Sequence, residues 1–465
     1  MPRKLRYALL VAVVLLAVPA ATAKAVARMP VGFYDDPSFR WAADPGVNLA
    51  SARLAHASII HVLADWASIA PTKPASALNG DDHAYNLSDL DTLVESAQKY
   101  GFQVLLTISG TPKWANGGQS PNHPPTRLND LTSFAHMLAA RYNGSHPGVG
   151  TVSRFSVWNE PNLQQFLTPQ FEGKTIVSPG IYARLYLAAY KGIKAGNRNA
   201  LVAAGETSNR GHNHPTSGSD SVAPATFAHL LSEAAPKIPF DAWATHPYPT
   251  TFRFGPTQRV AYPNVGFSTL DKFGASLQQW FHRRVPIWIT EYAEQTKPSF
   301  PQGVTTAQQA TDVKKALQMA AANPYVEMFV WFVFRDSSSE TWYSGIESKS
   351  GAKKSSYAAF AAAAKAVDGD SQMVKAGKVF TVKVPVPFIT YHDATGAVVA
   401  VTYKIYSGKP LVAAGGLHLT VQTDGRLTMP VNFKPVKGKT YSMTVFIGDK
   451  HGQNVQIHYV LLPAA

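Results

Sequence analysis

Between Pro30 and Val367 the chain alternates eight short apolar, β-branched runs with longer stretches patterned for helices. That alternation restricts the fold to parallel strands joined by helical crossovers. The runs are Val31–Tyr34, Ser58–Leu63, Gln103–Ile108, Arg154–Trp158, Leu201–Ala204, Phe240–Thr245, Val285–Thr290 and Val326–Trp331. Eight is the number that closes a (β/α)8 TIM barrel, and their near-continuous hydrophobicity suits burial on both faces. An open doubly wound sheet is the competitor, but no Gly-rich dinucleotide fingerprint follows the first run. Leu87–Tyr100 and Thr306–Ala322 carry apolar residues at helical spacing, and the Ala-rich Tyr357–Val367 predicts a last helix.

After Asp368-Gly369-Asp370-Ser371 the texture changes to short alternating segments such as Phe380–Val384 and Tyr441–Phe446, broken by Gly, Pro and Asp-Gly turns. This predicts a small C-terminal antiparallel β-sandwich over residues 373–465 behind a catalytic-sized α/β barrel over residues 30–367. Arg3, Lys4 and Arg6, the apolar stretch Ala8–Ala20 and the small residues Ala21-Thr22-Ala23 form an export signal pattern over residues 1–23. The expectation is a secreted, extracellular protein with no stable membrane span after cleavage. No cysteine is present, which excludes disulfides, Cys-ligated metal sites and Cys nucleophiles.

The net charge is +14, three of it in the first 23 residues. From residue 372 onward ten Lys or Arg face three Asp. A basic C-terminal domain could contact an anionic cell wall or polysaccharide, although a merely solvated face explains the same charge. With scattered basic residues and no nucleic-acid module, no nucleic-acid partner is expected.

The chemistry lies at two strand ends. Val157-Trp158-Asn159-Glu160-Pro161-Asn162 closes the fourth run and Ile287-Trp288-Ile289-Thr290-Glu291-Tyr292 the seventh. In such barrels catalytic groups stand at the C-terminal ends of strands, so Glu160 and Glu291 can converge from opposite sides of the mouth. Two such carboxyls, one protonated and one ionised, are what glycosidic bond cleavage requires. Either glutamate alone could instead cap a helix or pair with an arginine. Glu206, at the end of the fifth run, is a third carboxylate, expected to bind substrate or support the pair. Neither a metal nor an organic cofactor is implied, and His212-Asn213-His214 lies in a Gly/Ser-rich loop better suited to solvent.

Asn-Glu-Pro after the fourth strand with a second Glu after the seventh resembles clan A of the glycoside hydrolases, retaining (β/α)8 glycosidases. The resemblance spans roughly residues 30–366. Its wording is closest to family 39 and to family 5, the cellulase-like exported enzymes, through Ser156–Leu163, Ile108–Ala115 and Thr245-His246-Pro247-Tyr248-Pro249. The resemblance implies Glu160 as general acid/base, Glu291 as nucleophile, Asn159 on the sugar 2-hydroxyl, Tyr248 bonded to the nucleophile, His246 in the same pocket and Trp331 as an apolar floor. Trp114, Trp66 and Trp342 are further platform candidates, and Asp36, beside Asp35, a candidate for substrate hydroxyls. One departure stands out. Where the clan places an arginine on the nucleophile from the second strand, alignment puts His61, so its titration is expected to favour mildly acidic conditions.

The substrate implied is a poly- or oligosaccharide. A transglycosylase would use the same residues, and a non-catalytic carbohydrate-binding or cell-wall protein could keep the barrel without them.

Overall fold

The computed structural model describes residues 29–464 apart from 101, 147–148, 251, 300–302, 338–341, 369–370, 386–395, 409, 423–425, 440 and 449–453. The expected export signal lies outside the described residues. Eight parallel strands close a barrel: β1 (Val31–Tyr34), β2 (Ile59–Asp65), β3 (Gln103–Ser109), β4 (Arg154–Val157), β5 (Leu201–Thr207), β6 (Ala242–Thr245), β7 (Ile287–Tyr292) and β8 (Val326–Phe332). All eight fall where the apolar runs predict strands. Glu206 and Glu291 sit within the last residues of β5 and β7 rather than just beyond them.

Eight main helices wrap the outside: α1 (Pro45–Leu54), α2 (Ser88–Lys99), α3 (Leu128–Arg141), α4 (Ser178–Gly196), α5 (Pro224–Ala234), α6 (Leu270–Phe281), α7 (Thr306–Ala322) and α8 (Ser355–Asp368). Their starts follow local chemistry. Asp44 caps α1 ahead of Pro45, and Thr305 accepts the Gln308 N–H at the start of α7. In α2 the buried Leu90, Leu93, Val94 and Ala97 recur at helical spacing and form one stripe against the strands.

Ring closure is reinforced at both ends of the barrel. Asp35, after β1, accepts the Phe334 and Arg335 N–H groups beyond β8 at 3.0 and 2.9 Å. At the opposite end Asp368, the last residue of α8, accepts from Ser58 and from the Val31 N–H. Gly32 has no substitute where β1 meets β2, because a Cβ there would stand 1.7 Å from the Ile59 carbonyl oxygen.

The barrel interior changes character along its axis. An apolar layer of Ile59, Leu105, Ala203, Ala242, Ala244, Trp288, Met328 and Val330 fills one end. Arg154 lies with it, bonded to Gln103 and over the Trp288 ring. Two residues further along the strands the inward side chains become His61, Thr107, Ser156 and Phe332. The polar layer they open carries the site.

The C-terminal region has its own core. Strands β9 (Ser371–Lys375), β15 (Asn454–Ala464), β14 (Tyr441–Gly448), β11 (Val398–Tyr406) and β12 (Leu411–Thr420) form one sheet in that order, and β10 (Phe380–Pro385) pairs with β13 (Arg426–Val431). Val382 and Met429 from the small sheet pack with Val401, Met443 and Ile447 from the large one, as in a β-sandwich. Pairing is antiparallel except between β9 and β15, which run parallel. The sandwich therefore begins at Ser371, two residues before the predicted boundary, and α8 runs to Asp368.

Candidate active site

Glu160, Glu206, His246, Tyr248 and Glu291 meet at the C-terminal mouth of the barrel, from the ends of β4, β5, β6 and β7. His246 is fully buried and central. Its Nδ1 lies 2.9 Å from Glu160 Oε1 and 3.7 Å from Glu291 Oε2, and its Nε2 lies 2.9 Å from Glu206 Oε2. Tyr248 Oη donates to Glu291 Oε2 at 2.9 Å. The two legs from one nitrogen limit the separation of those Glu160 and Glu291 oxygens to roughly 6.6 Å.

Backbone conformation aims these groups. Trp158, Glu160 and Glu206 have φ of 69°, 39° and 49°, in the left-handed region that side chains avoid. Glu160 is held there by its N–H bond to the Glu206 carbonyl at 2.9 Å, and the Trp158 indole N–H donates to the Phe166 carbonyl. Such strain is characteristic of functional positions.

Below the mouth, Thr290 Oγ1 donates to Glu206 Oε2 at 2.6 Å. His61 Nδ1 faces the Thr290 carbonyl at 3.0 Å, so Nδ1 carries the proton and Nε2 accepts from Thr107 Oγ1 at 2.6 Å. Thr107 in turn meets Ser156 at 2.5 Å. His61 therefore sits one layer beneath Glu291 and is bonded to neither catalytic candidate. Burial lowers its pKa to about 4, so it stays neutral and cannot impose the acid preference expected of it. An arginine's place on the nucleophile is not filled by His61.

The other charges are set by mutual contact. Burial alone would lower His246, but Glu291, Glu160 and Glu206 outweigh it and hold the imidazole well above its ordinary value. Burial alone would raise Glu206, yet the bond to His246 and its charge hold the carboxyl below its ordinary value. Burial pushes Glu291 up to about 7, against the opposing influence of His246 and Tyr248. Tyr248 is raised well above 10 by burial and by the two glutamates, so it remains a donor.

The predicted apolar floor is displaced by one residue. Trp331 is fully buried outside the barrel, packed on Tyr292 and donating to the Ser344 carbonyl. The pleat explains this. Phe33 and Trp331 are paired, and Phe33 stacks on Phe360 of α8, whereas the next pair, Tyr34 and Phe332, points inward. Tyr34 packs on His61 and on Phe332, and half-buried Trp342 meets the edges of Phe332 and Tyr248. Tyr34, Phe332 and Trp342 thus form the aromatic wall beside Glu291.

Of the remaining candidates, Asn159 is half-buried between Trp158 and Glu160 at the mouth. Trp114 is anchored through its indole N–H to the Ala70 carbonyl and packs edge-on to buried Trp66, so both stand in the wall beneath the third crossover. Asp36 is buried next to Arg40, and burial raises it to about 7; it starts a single helical turn after β1 that Asp35 caps. Its backbone carbonyl accepts the Arg40 and Trp41 N–H groups, and its carboxyl Oδ1 is buried without a hydrogen-bond partner. His212 and His214 lie 5.7 Å apart ring to ring, and among the described residues no group of three or more His, Asp or Glu is arranged to hold a metal ion. Thr107, Thr290 and Phe332 were not predicted for the site. Thr107 and Phe332 sit inside apolar runs with no motif around them, and Thr290 directly precedes Glu291 but carries no ionisable group to single it out.

No curated protein is similar to the chain in sequence. Among solved structures, a family 39 glycoside hydrolase from the gut symbiont Bacteroides cellulosilyticus WH2 is 16% identical, with a TM-score of 0.54, over 87% of this chain and 79% of that one. A family 39 β-xylosidase from Caulobacter crescentus is 14% identical, with a TM-score of 0.51, over 92% of this chain and 79% of that one. Xylanase 10B from Thermotoga maritima is 15% identical, with a TM-score of 0.51, over 73% of this chain and 95% of that one. At these identities the likeness is one of fold. The sequence itself matches the family model for cellulase, glycosyl hydrolase family 5, over residues 51–336, a stretch that contains both strand-end glutamates. The chain therefore belongs to the cellulase-like glycosyl hydrolase family 5, and is a glycosidase acting on a carbohydrate.

Proposed function

We propose that this glycosidase is an exported, retaining enzyme that cleaves O-glycosidic bonds of a poly- or oligosaccharide by double displacement. The observation that carries this reading is the single His246 nitrogen within 3.7 Å of both carboxyls. The resulting ceiling of roughly 6.6 Å between those oxygens favours the close pairing of retaining enzymes over the wider gap that accommodates an inverting water.

In the first step Glu160 gives its proton to the glycosidic oxygen while Glu291 attacks the anomeric carbon, forming a glycosyl ester. In the second, Glu160 takes a proton from water, which displaces Glu291 and releases the sugar with its original anomeric configuration. Tyr248 donates to one oxygen of Glu291 and leaves the other for attack. Asn159 holds the 2-hydroxyl, and the wall of Tyr34, Phe332 and Trp342 receives the apolar face of the ring. The basic C-terminal domain holds the enzyme to an anionic wall or polysaccharide. Among the described residues no helix is long and apolar enough to cross a membrane.

A screen on aryl glycosides and polysaccharides tests this, with product anomers followed by NMR. Glu160→Gln and Glu291→Gln should each lower kcat by about 1000-fold or more, since each removes a group that acts in the transition state. Activity surviving both substitutions, or an inverted first product, would overturn it.

A further inference from the structure

We propose that Glu206, a carboxylate that reaches neither substrate nor solvent, fixes His246 as an imidazolium that serves both catalytic carboxyls in turn. The proposal rests on the retaining reading and extends it to a positioning residue. Glu206 is completely buried, and its Oε2 accepts both the His246 Nε2–H at 2.9 Å and the Thr290 hydroxyl at 2.6 Å. Thr107 Oγ1 lies 3.5 Å from Glu206 Oε1; a fully buried carboxylate is held as an anion chiefly by the cation it faces, and a buried imidazolium needs the same in return. With Nε2 committed to Glu206, the other ring proton on Nδ1 is directed at the mouth, 2.9 Å from Glu160 and 3.7 Å from Glu291.

The reaction uses that geometry. Before bond cleavage the negative charge is on Glu291 and the proton on Glu160. As the C–O bond breaks, the proton leaves Glu160 with the sugar's former oxygen, and Glu291 spends its charge in the ester. One negative charge has moved from one side of Nδ1 to the other, and a water proton later reverses the move. An imidazolium between them meets one carboxylate at every stage, so no buried charge is left alone. Tyr248 faces the same space but as a neutral phenol, and His61, below Glu206, is neutral. His246 is thus the cation of the assembly, with Glu160, Glu206 and Glu291 as the acids around it. The lowered Glu206 and raised His246 agree with this arrangement.

The test is heteronuclear NMR of histidine-labelled enzyme, with the His246 signal assigned by its loss in His246→Asn, alongside kcat/KM against pH. In the native enzyme the His246 ring should stay in its imidazolium form from pH 5 to 8. In Glu206→Gln, which keeps the size of the side chain and can still accept from Thr290, it should titrate inside that window, a fall in proton affinity of at least about tenfold. The acid limb of kcat/KM should then change position together with the ring's titration, as Glu291 exchanges a fixed neighbouring cation for one that is lost within the window, and Glu206→Asp should restore part of both. A purely structural role for Glu206 would lower activity evenly across pH and leave the ring's titration unchanged, which would overturn the proposal. Should Glu206→Gln fail to fold, titration of His246 between pH 5 and 8 in the native enzyme would overturn it equally. Because the ring is observed directly, failure here is distinguishable from failure of the catalytic reading, which the Glu160 and Glu291 variants report.

Discussion

Glu291 meets conflicting demands. As the proposed nucleophile it must be ionised, yet burial lifts it to about 7, with His246 and Tyr248 resisting the rise. The sign of the pH effect follows directly. Below that value the carboxyl takes up a proton and attack is lost, so kcat/KM should fall towards tenfold per unit as pH drops beneath about 7. His61, neutral above about 4, contributes nothing to this limb, so His61→Asn should keep its position. A pH profile in which that variant shifts the limb would contradict the assignment. The placement of Glu160 and Glu291 at the barrel mouth was legible because Asn-Glu-Pro and a strand-end Glu are local patterns. The position of His61 was not, because whether a strand residue touches a carboxyl one layer above depends on the stagger between β2 and β7, which no local pattern records.

Strand β8 shows where local reading stops. Phe329-Val330-Trp331-Phe332-Val333-Phe334 is hydrophobic at every position, so the alternation that separates inside from outside is invisible in the letters. Only pairing with β1 decides it, placing Phe332 beside Tyr34 in the barrel and Trp331 among the helices. The two positions should respond differently to truncation. Phe332→Ala should weaken substrate binding, raising KM by about tenfold with a small loss of stability, whereas Trp331→Ala empties a fully buried site and should cost about 3–5 kcal/mol. Steady-state kinetics and thermal melts of the two variants check this, and the reverse ranking would return the floor to Trp331.

For the whole molecule, the count of eight strands and the switch to an all-β texture were legible because period and punctuation change along the chain. Strand β9 was not, since Ser371–Lys375 is a short run whose parallel partner lies some 90 residues away. Among the described residues the barrel and the sandwich share no core residue. Unfolding should therefore proceed in two transitions, and Ile447→Ala, in the sandwich core, should lower one by about 2–5 kcal/mol while leaving the other and the activity intact. Calorimetry that gave a single, uniformly shifted transition would refute that independence.

The backbone at Glu160 and Glu206 has one more consequence. At φ of 39° and 49° each residue sits where a side chain costs about 1–3 kcal/mol, and glycine would cost almost nothing. At Glu160 a change to glycine would relax the chain and delete the carboxylate, whereas at Glu206 it would also strip the buried His246 of its partner. A lineage released from selection for hydrolysis would therefore be freest to lose its chemistry at Glu160, while the buried His246 keeps Glu206 in place.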